Sequence, residues 1–166
     1  MAELRDLIDD RAIRDVVLRY CRGIDRMDQD LVRSCYHPDA RDAHGTFEGG
    51  VDEFITWVWR VLARYAVTQH FVANQLVELD GDQARSETYG VAVHRTPAGK
   101  EAGNLVTGFR FIDDFERRGE WRILRRVATT EWVRVWRPEG DRPIPAGMLT
   151  GRRDRDDPVY RQRGGA

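Results

Sequence analysis

The sequence predicts an α+β fold in which a helical N-terminal half packs against a curved, mostly antiparallel sheet. Apolar residues recur every three or four positions up to Tyr65, and they alternate with polar residues from Val67 onward. Turn signals divide the alternating part into four long strands. Strands of this length twist and curl, so the sheet is expected to have a concave face with a pocket between it and the helices.

Three helices are expected in the first part of the chain. The first spans residues 4–24, where one apolar stripe repeats at spacings of three and four. The second is short: Asp28 can cap it, and Pro38 stops it because proline disfavours helix in the residue before it. The polar segment 40–47 is expected to form a short hairpin or loop. A glycine pair then precedes a third helix over residues 51–65.

The strands are expected to pair in sequence order as a meander, with a hairpin turn at Asp80-Gly81-Asp82 between the first two. Trp132 and Trp136 on the last strand favour association through the sheet, because aromatic residues are enriched at interfaces. A homodimer or homotrimer is therefore expected. The predicted strands are residues 67–79, 84–94, 104–115 and 121–136.

Periodicity is lost after residue 137, where Pro, Gly, Arg and Asp dominate. One domain is therefore assigned to residues 1–137. Residues 138–166 are expected to form a C-terminal tail that is either disordered or laid over a neighbour.

Composition excludes several classes of function. The chain has 166 residues, 33% of them charged, and a formal net charge of −1, so no global field favours nucleic acid or an anionic membrane. No apolar signal region begins the sequence, and no stretch approaches the ~20 apolar residues of a membrane span. A cytoplasmic protein with neither nucleic-acid nor membrane partners is expected.

Familiar catalytic motifs are missing from the sequence. It contains no P-loop, no glycine-rich dinucleotide fingerprint, no G-x-S-x-G and no H-E-x-x-H. The four histidines show no spacing typical of metal ligands. No metal and no cofactor are therefore expected, and the candidates that remain are ionisable residues that should face the pocket.

Asp25 and His70 are the most informative of these candidates. Alone, Asp25 is best interpreted as a solvated or capping aspartate, and His70 as a satisfied histidine in an apolar strand. Together they suggest chemistry, because a carboxylate bound to an imidazole fixes its tautomer and raises its basicity. Such a pair removes protons near neutral pH without a metal.

Other candidates have two interpretations each. Alternation turns only one of Arg125 and Arg126 inward, and the inward arginine either stabilises an oxyanion or pairs with a helix carboxylate. Tyr20 is either a core aromatic residue or a pocket hydroxyl. The remaining candidates for the pocket or its rim are His94 at a strand end, His44 in a polar segment and Trp57 beside the apolar face of the third helix.

Residues 3–137 resemble the SnoaL-like branch of the nuclear transport factor 2-like superfamily. The resemblance lies in the order and spacing of AIRDVVLRYCRGIDRMDQDLVRSCYHPDA, DAHGTFEGG, TQHFVANQLVELDGDQARSETYG and FERRGEWRILRR. It implies a cone-shaped sheet, mostly antiparallel, wrapped around three N-terminal helices as a cystatin-like α+β barrel. Members include scytalone dehydratase, bile-acid 7α-dehydratase, hexachlorocyclohexane dehydrochlorinase and polyketide cyclases.

The resemblance also implies site residues. Asp25 and His70 match the Asp–His dyad of the dehydratase and dehydrochlorinase members. Tyr20 matches a pocket tyrosine of the bile-acid enzyme, and Arg126 matches a pocket arginine of the dehydrochlorinase. His94 falls near a second polar pocket position of the dehydratases. The sequence departs from the dehydrochlorinase before TFEGG, where Asp42 and His44 replace an aromatic residue.

These residues predict a cofactor-independent lyase or isomerase, dehydratase-like, that acts on a hydrophobic small molecule. His70 would abstract a proton, Asp25 would orient His70, and Tyr20 with Arg126 would hold the leaving oxygen or an enolate. One alternative is a polyketide cyclase or epoxide hydrolase reaction in the same pocket. Another is a non-catalytic ligand-binding or assembly domain like the small subunit of a ring-hydroxylating dioxygenase.

Overall fold

The α-helices of the computed structural model lie within the first 62 residues, close to the first 65 that the periodicity predicts. The structure describes residues 2–97, 103–137 and 142–161. Part of the expected 96–103 loop lies outside these ranges, as does part of the tail. The helices are α1 (Ala2–Arg26), α2 (Gln29–Ser34) and α3 (Val51–Leu62).

The strands form a six-stranded mixed sheet in the order β2-β1-β6-β5-β4-β3. The predicted α+β class and the meander of the four long strands are confirmed. The strands are β1 (Tyr36–His44), β2 (Phe47–Gly50), β3 (Val67–Asp80), β4 (Gln83–Arg95), β5 (Asn104–Arg118) and β6 (Glu120–Trp136).

The β1–β2 hairpin is longer than the predicted hairpin or loop over 40–47. β1 already begins at Tyr36, pairs antiparallel with β2 and lies parallel to β6. Pro38 falls where the register against β6 shifts, between Tyr36 and Arg41. A proline has no N–H to donate to a strand ladder, so it is tolerated at such an irregularity. α2 already ends at Ser34, so Pro38 marks the irregular start of β1 rather than the end of the helix.

α1 packs against β3 and β6 with the central and C-terminal part of its predicted stripe. The N-terminal part of the stripe, at Leu4, Leu7 and Ile8, is exposed instead. Gly23 lies where α2 crosses α1, and a Cβ atom at this position would come within 2.7 Å of a methyl group of Val32. The glycine thus permits close packing. The buried side chains of the stripe are Ile13, Val16, Val17, Tyr20, Cys21 and Ile24.

Register shifts give the sheet its concave face. They occur in the β3–β4 ladder between Val72 and Gln75, and twice in the β5–β6 ladder, next to Phe109 and Phe115. An extra residue in one strand bends it and increases its local twist. α1 and α3 cover the concave side. Among the described residues, no helix combines the length and apolar character that crossing a membrane requires.

The described part of the tail packs on the chain's own helices. Arg26 at the end of α1 donates to the backbone oxygen of Arg152 at 2.8 Å and to Asp157 at 3.1 Å. Asp28, the N-cap of α2, accepts from Tyr160 at 2.9 Å. Residues 142–161 thus lie across the junction of α1 and α2.

Candidate functional site

A cavity of about 190 Å³ lies between the helices and the concave face of the sheet. Open grooves elsewhere on the described surface are larger, but this cavity is the one that three histidines line. Its remaining walls are mostly aliphatic and aromatic. The lining residues with polar side-chain groups are Tyr20, His44, Trp57, Tyr65, His70, His94, Thr107, Thr129 and Thr130.

Asp25 and His70 are in direct contact. The His70 ring nitrogen Nδ1 lies 2.7 Å from Asp25 Oδ1, and the His70 backbone N–H donates to Asp25 Oδ2 at 2.8 Å. The packing of α1 on β3 brings the last turn of the helix to this point of the strand. Because both oxygens of one carboxylate hold the same residue, the ring is fixed in position as well as in orientation.

The contact with Asp25 also determines which ring nitrogen of His70 can accept a proton. An ionised carboxylate only accepts hydrogen bonds, so Nδ1 of His70 carries the proton in this geometry. Nε2 is then left with a lone pair. The side chains of Asp25 and His70 are 13% and 10% exposed, respectively, which shields their interaction from bulk water.

His94 lies on β4 beside His70, at a ring-centroid distance of 5.7 Å. The ring of Tyr65 covers it from the other side at 4.8 Å. Burial lowers the pKa of His94 to about 4, and the charge of His70 adds to this effect. Its Nδ1 has no hydrogen-bond partner among the described residues. At neutral pH, His94 is therefore an uncharged polar group in the cavity wall.

Tyr20 lines the cavity with its ring, 1% exposed. Burial raises the pKa of Tyr20 well above its ordinary value, although the nearby Arg126 opposes the rise. The phenol therefore stays neutral at physiological pH and can donate a hydrogen bond.

Arg126, which the sequence predicts as a substrate contact, is not among the residues that line the cavity. Its side chain is fully buried, and Nε and one terminal nitrogen each donate to Asp113 at 2.7 Å. The guanidinium lies 4.1 Å from the ring centre of Tyr20 and 4.0 Å from that of Phe111. It therefore underlies the cavity wall rather than forming it.

Charge complementarity keeps this buried pair ionised. Burial opposes the charged guanidinium, but Asp113 more than offsets this, and the pKa of Arg126 lies well above its ordinary value. Burial raises the pKa of Asp113 against the attraction of Arg126. The paired contacts of 2.7 Å indicate that both partners are charged.

His44 is the last residue of β1 and lines the cavity. Its ring stacks on Phe54 of α3 at 5.5 Å and lies 6.2 Å from Trp57 and 6.0 Å from Phe111. Trp57 also lines the cavity. Five of the predicted site residues thus line the cavity: Tyr20, His44, Trp57, His70 and His94.

Three contributors were not evident from the sequence. Asp113 is the partner of Arg126, and Asp42 lies within 3.5 Å of His44. Tyr65 covers His94. Asp42 had a usable signal, since residues two apart on a strand share one face. Among the described residues, no three metal-ligating side chains converge on one position.

The model of the SnoaL-like domain family matches residues 5–127. The uncharacterized protein Rv2910c of Mycobacterium tuberculosis is 30% identical over 135 residues, which cover 78% of this chain and 90% of that protein.

Solved structures show the same fold at low sequence identity. A hexachlorocyclohexane dehydrochlorinase, LinA type 2, is similar with a TM-score of 0.75 and 19% identity, covering 88% of this chain and 99% of that one. A scytalone dehydratase-like protein from Novosphingobium aromaticivorans has a TM-score of 0.72 and 19% identity, covering 86% and 100%.

Proposed function

Because the chain belongs to the SnoaL-like domain family, we propose that it is a cofactor-independent lyase or isomerase, dehydratase-like, that acts on a hydrophobic small molecule. The observation that supports this most is the Asp25–His70 pair, in which His70 lines the cavity and Nδ1 is bound to a carboxylate at 2.7 Å. Structural relatives named for dehydratase and dehydrochlorinase activity are consistent with it.

The proposed chemistry begins with His70. Its Nε2 accepts a proton from a carbon next to a carbonyl, and the imidazole becomes a cation. Asp25 stabilises that cation through Nδ1–H, because the two opposite charges then lie in hydrogen-bond contact. The electron pair left on carbon forms a double bond as a β-hydroxyl leaves, or returns to another carbon in an isomerisation.

The cavity suggests the size of the substrate. Drug-sized ligands occupy roughly 300–1,000 Å³, whereas an apolar cavity of about 150 Å³ in another protein holds benzene. A volume of about 190 Å³ therefore suits a compound with one ring. Tyr20 and His94 are placed as hydrogen-bonding groups for its oxygen, and Trp57 as an apolar wall.

The non-catalytic alternative is less favoured by the packing. It predicts an ion pair that fills the cavity. The buried pair Arg126–Asp113 lies behind Tyr20 and Phe111, and the space in front of these rings stays open. The role of an assembly domain does not require a cavity histidine whose ring and backbone N–H are both bound by one carboxylate.

A substrate screen tests the proposal. A panel of one-ring β-hydroxy carbonyl compounds, such as 3-hydroxycyclohexanone, is incubated with wild type, Asp25→Asn and His70→Ala. We expect the wild type to form the conjugated enone and both variants to lose roughly 10²–10⁴-fold in rate, the range of general acid–base catalysis. Ultraviolet absorbance of the enone follows the reaction.

Asp15→Asn is the matched control, because Asp15 is also an α1 aspartate but pairs with Arg11 outside the cavity. It should keep the wild-type rate. Equal turnover in wild type, Asp25→Asn and His70→Ala would contradict the dyad, and no turnover of any compound by the wild type would contradict the proposed reaction class.

A further inference from the structure

Two buried polar atoms face each other beside the cavity without a hydrogen bond. Asp42 is fully buried, and its Oδ1 lies 3.5 Å from Nδ1 of His44. Neither atom has a hydrogen-bond partner among the described residues. An unsatisfied buried carboxylate oxygen is costly, and a shift of a few tenths of an ångström would satisfy both atoms at once.

The other oxygen of Asp42 is firmly held. Oδ2 accepts from the hydroxyl of Tyr36 at 2.6 Å, and a terminal nitrogen of Arg126 lies 3.4 Å from the same hydroxyl. Tyr36 and Arg126 are both buried. This chain of contacts keeps the carboxylate in place and leaves Oδ1 directed only at His44.

His44 and His70 lie on different sides of the same cavity. β1 and β3 are separated by β6, β5 and β4 in the sheet, yet both residues line the cavity. In both cases the imidazole Nδ1 faces an aspartate: Asp25 for His70 and Asp42 for His44. Each ring can therefore present Nε2 to a ligand between them.

We propose that His44, held by Asp42, is a second proton-transfer residue, which donates a proton to the leaving group. This rests on the proposed function. In the elimination, the C–H bond breaks and its proton goes to Nε2 of His70, while its electron pair forms the C=C bond. The C–O bond breaks, and the oxygen takes a proton from Nε2 of the His44 imidazolium and leaves as water. Exchange with solvent then resets both histidines.

The surroundings of His44 suit this role. Oδ1 of Asp42, on the same strand, faces Nδ1 of His44 at 3.5 Å. The groups on α3 and β5 that contact its ring, Phe54, Trp57 and Phe111, carry no charge. Among the described residues, the other titratable or charged groups around the cavity are Tyr20 and Asp25 on α1, Tyr65 after α3, His70 on β3, His94 on β4, Arg153 of the tail and the Arg126–Asp113 pair between β6 and β5.

Leaving-group dependence tests the proton donation. 3-Hydroxycyclohexanone needs a proton on its leaving oxygen, whereas 3-acetoxycyclohexanone releases acetate, which needs none. For His44→Gln we expect kcat to fall about 10²-fold or more with the hydroxy compound and to stay within about fivefold of wild type with the acetoxy compound. His70→Gln should lose activity on both, because its role precedes the departure of either group.

Equal losses of His44→Gln on the two compounds would overturn the inference, since a merely structural residue would affect both alike. Failure of the wild type on both compounds is a different result, which contradicts the proposed function itself.

A spectroscopic measurement decides the pairing independently of turnover. Histidine labelled with ¹⁵N reports the protonated nitrogen of each ring, and His44→Gln assigns its signals. We expect neutral His44 to carry its proton on Nδ1 in the wild type and to lose this preference in Asp42→Asn. A proton on Nε2 in the wild type, or the same tautomer in wild type and Asp42→Asn, would overturn the pairing. The His70 signals serve as the internal control.

Discussion

The burial of His94 in the cavity wall has a direct consequence for stability. Its pKa falls from 6.5 to about 4 because it is buried beside His70. Between these two pH values the unfolded chain binds a proton at this residue and the folded protein does not. Acid therefore favours unfolding, so stability is lost as the pH falls from about 6.5 to about 4.

We expect His94→Gln to weaken this pH dependence. At about 1.4 kcal/mol per pKa unit, the contribution of His94 to the free energy of unfolding changes by at most about 3.5 kcal/mol over this range. Urea denaturation at pH 7 and pH 4.5 measures it in wild type and variant. The same loss of stability in both proteins would show that His94 is not the residue responsible.

The Arg126–Asp113 pair gives a second expectation. Both side chains are fully buried. Removal of one partner from such a pair leaves an unpaired buried charge and costs about 3–5 kcal/mol. We expect this loss for Arg126→Met, and we expect Arg126→Met with Asp113→Leu to recover most of it. Urea denaturation of the three proteins gives the coupling energy.

Arg125→Met is the control for this pair, because Arg125 is the exposed neighbour on the same strand, with its side chain 65% exposed. It should change stability by no more than about 0.5 kcal/mol. Strictly additive effects of the two substitutions in the double variant would contradict the coupling.

At the scale of residues, the sequence predicts Asp25 and His70 as a pair because a carboxylate bound to an imidazole raises its basicity. The two side chains are in contact in the structure. The sequence does not pair Arg126 with Asp113. Arg118 pairs with Glu120 next to the β5–β6 turn. If the strands kept this register, Asp113 would not lie opposite Arg126. A register shift between Asp114 and Phe115 brings the two residues opposite each other. No residue type in this segment predicts the shift.

At the scale of elements, the tail supplies hydrogen bonds that the helices cannot make themselves. A terminal nitrogen of Arg153 donates to the backbone oxygens of Leu62 at 3.1 Å and Tyr65 at 2.6 Å. Carbonyl groups at a helix end have no partners within the helix. Since Leu62 and Tyr65 also line the cavity, the tail helps to fix one of its edges.

We expect Arg153→Ala to destabilise the fold by about 1–3 kcal/mol, because two bonds of roughly 0.5–1.5 kcal/mol each are lost. Thermal and urea unfolding measure the change. Arg161→Ala, an exposed arginine of the same segment, should leave stability unchanged. An equal effect of the two substitutions would argue against a specific role for Arg153.

The elements themselves follow from the sequence to different degrees. α1, α3 and the four long strands have strong periodicity and are predicted nearly to their ends. β1 is harder to predict because it begins directly after α2 and contains Pro38. Its pairing with β6 joins segments far apart in the chain, and local pattern contains no information about such a pairing.

For the whole molecule, the end of β6 suggests self-association. Trp132 and Trp136 are 49% and 52% exposed, and Val133 and Val135, which alternate with them along the strand, are also exposed. Large exposed apolar side chains grouped in this way mark interaction sites. We expect a homodimer or homotrimer, hence a mass that is a multiple of 19.2 kDa by light scattering.

Replacement of both tryptophans by serine should shift the protein to the monomer. Leu76→Ser is the control, because Leu76 is an exposed apolar residue on the edge strand β3. A mass unchanged by the double tryptophan replacement would place the contact elsewhere.

The parallel pairing of β1 with β6 also sets an order of events during folding. The β3–β4–β5–β6 meander consists of local hairpins, which close quickly, whereas Asp42 meets Arg126 across about eighty residues of chain. During synthesis the helices and β1 emerge first, and β1 can pair with β6 only after β6 has been synthesised. His70 on β3 and His94 on β4 both belong to the meander, whereas His44 lies on β1, so we expect the cavity to acquire His44 only when folding is nearly complete.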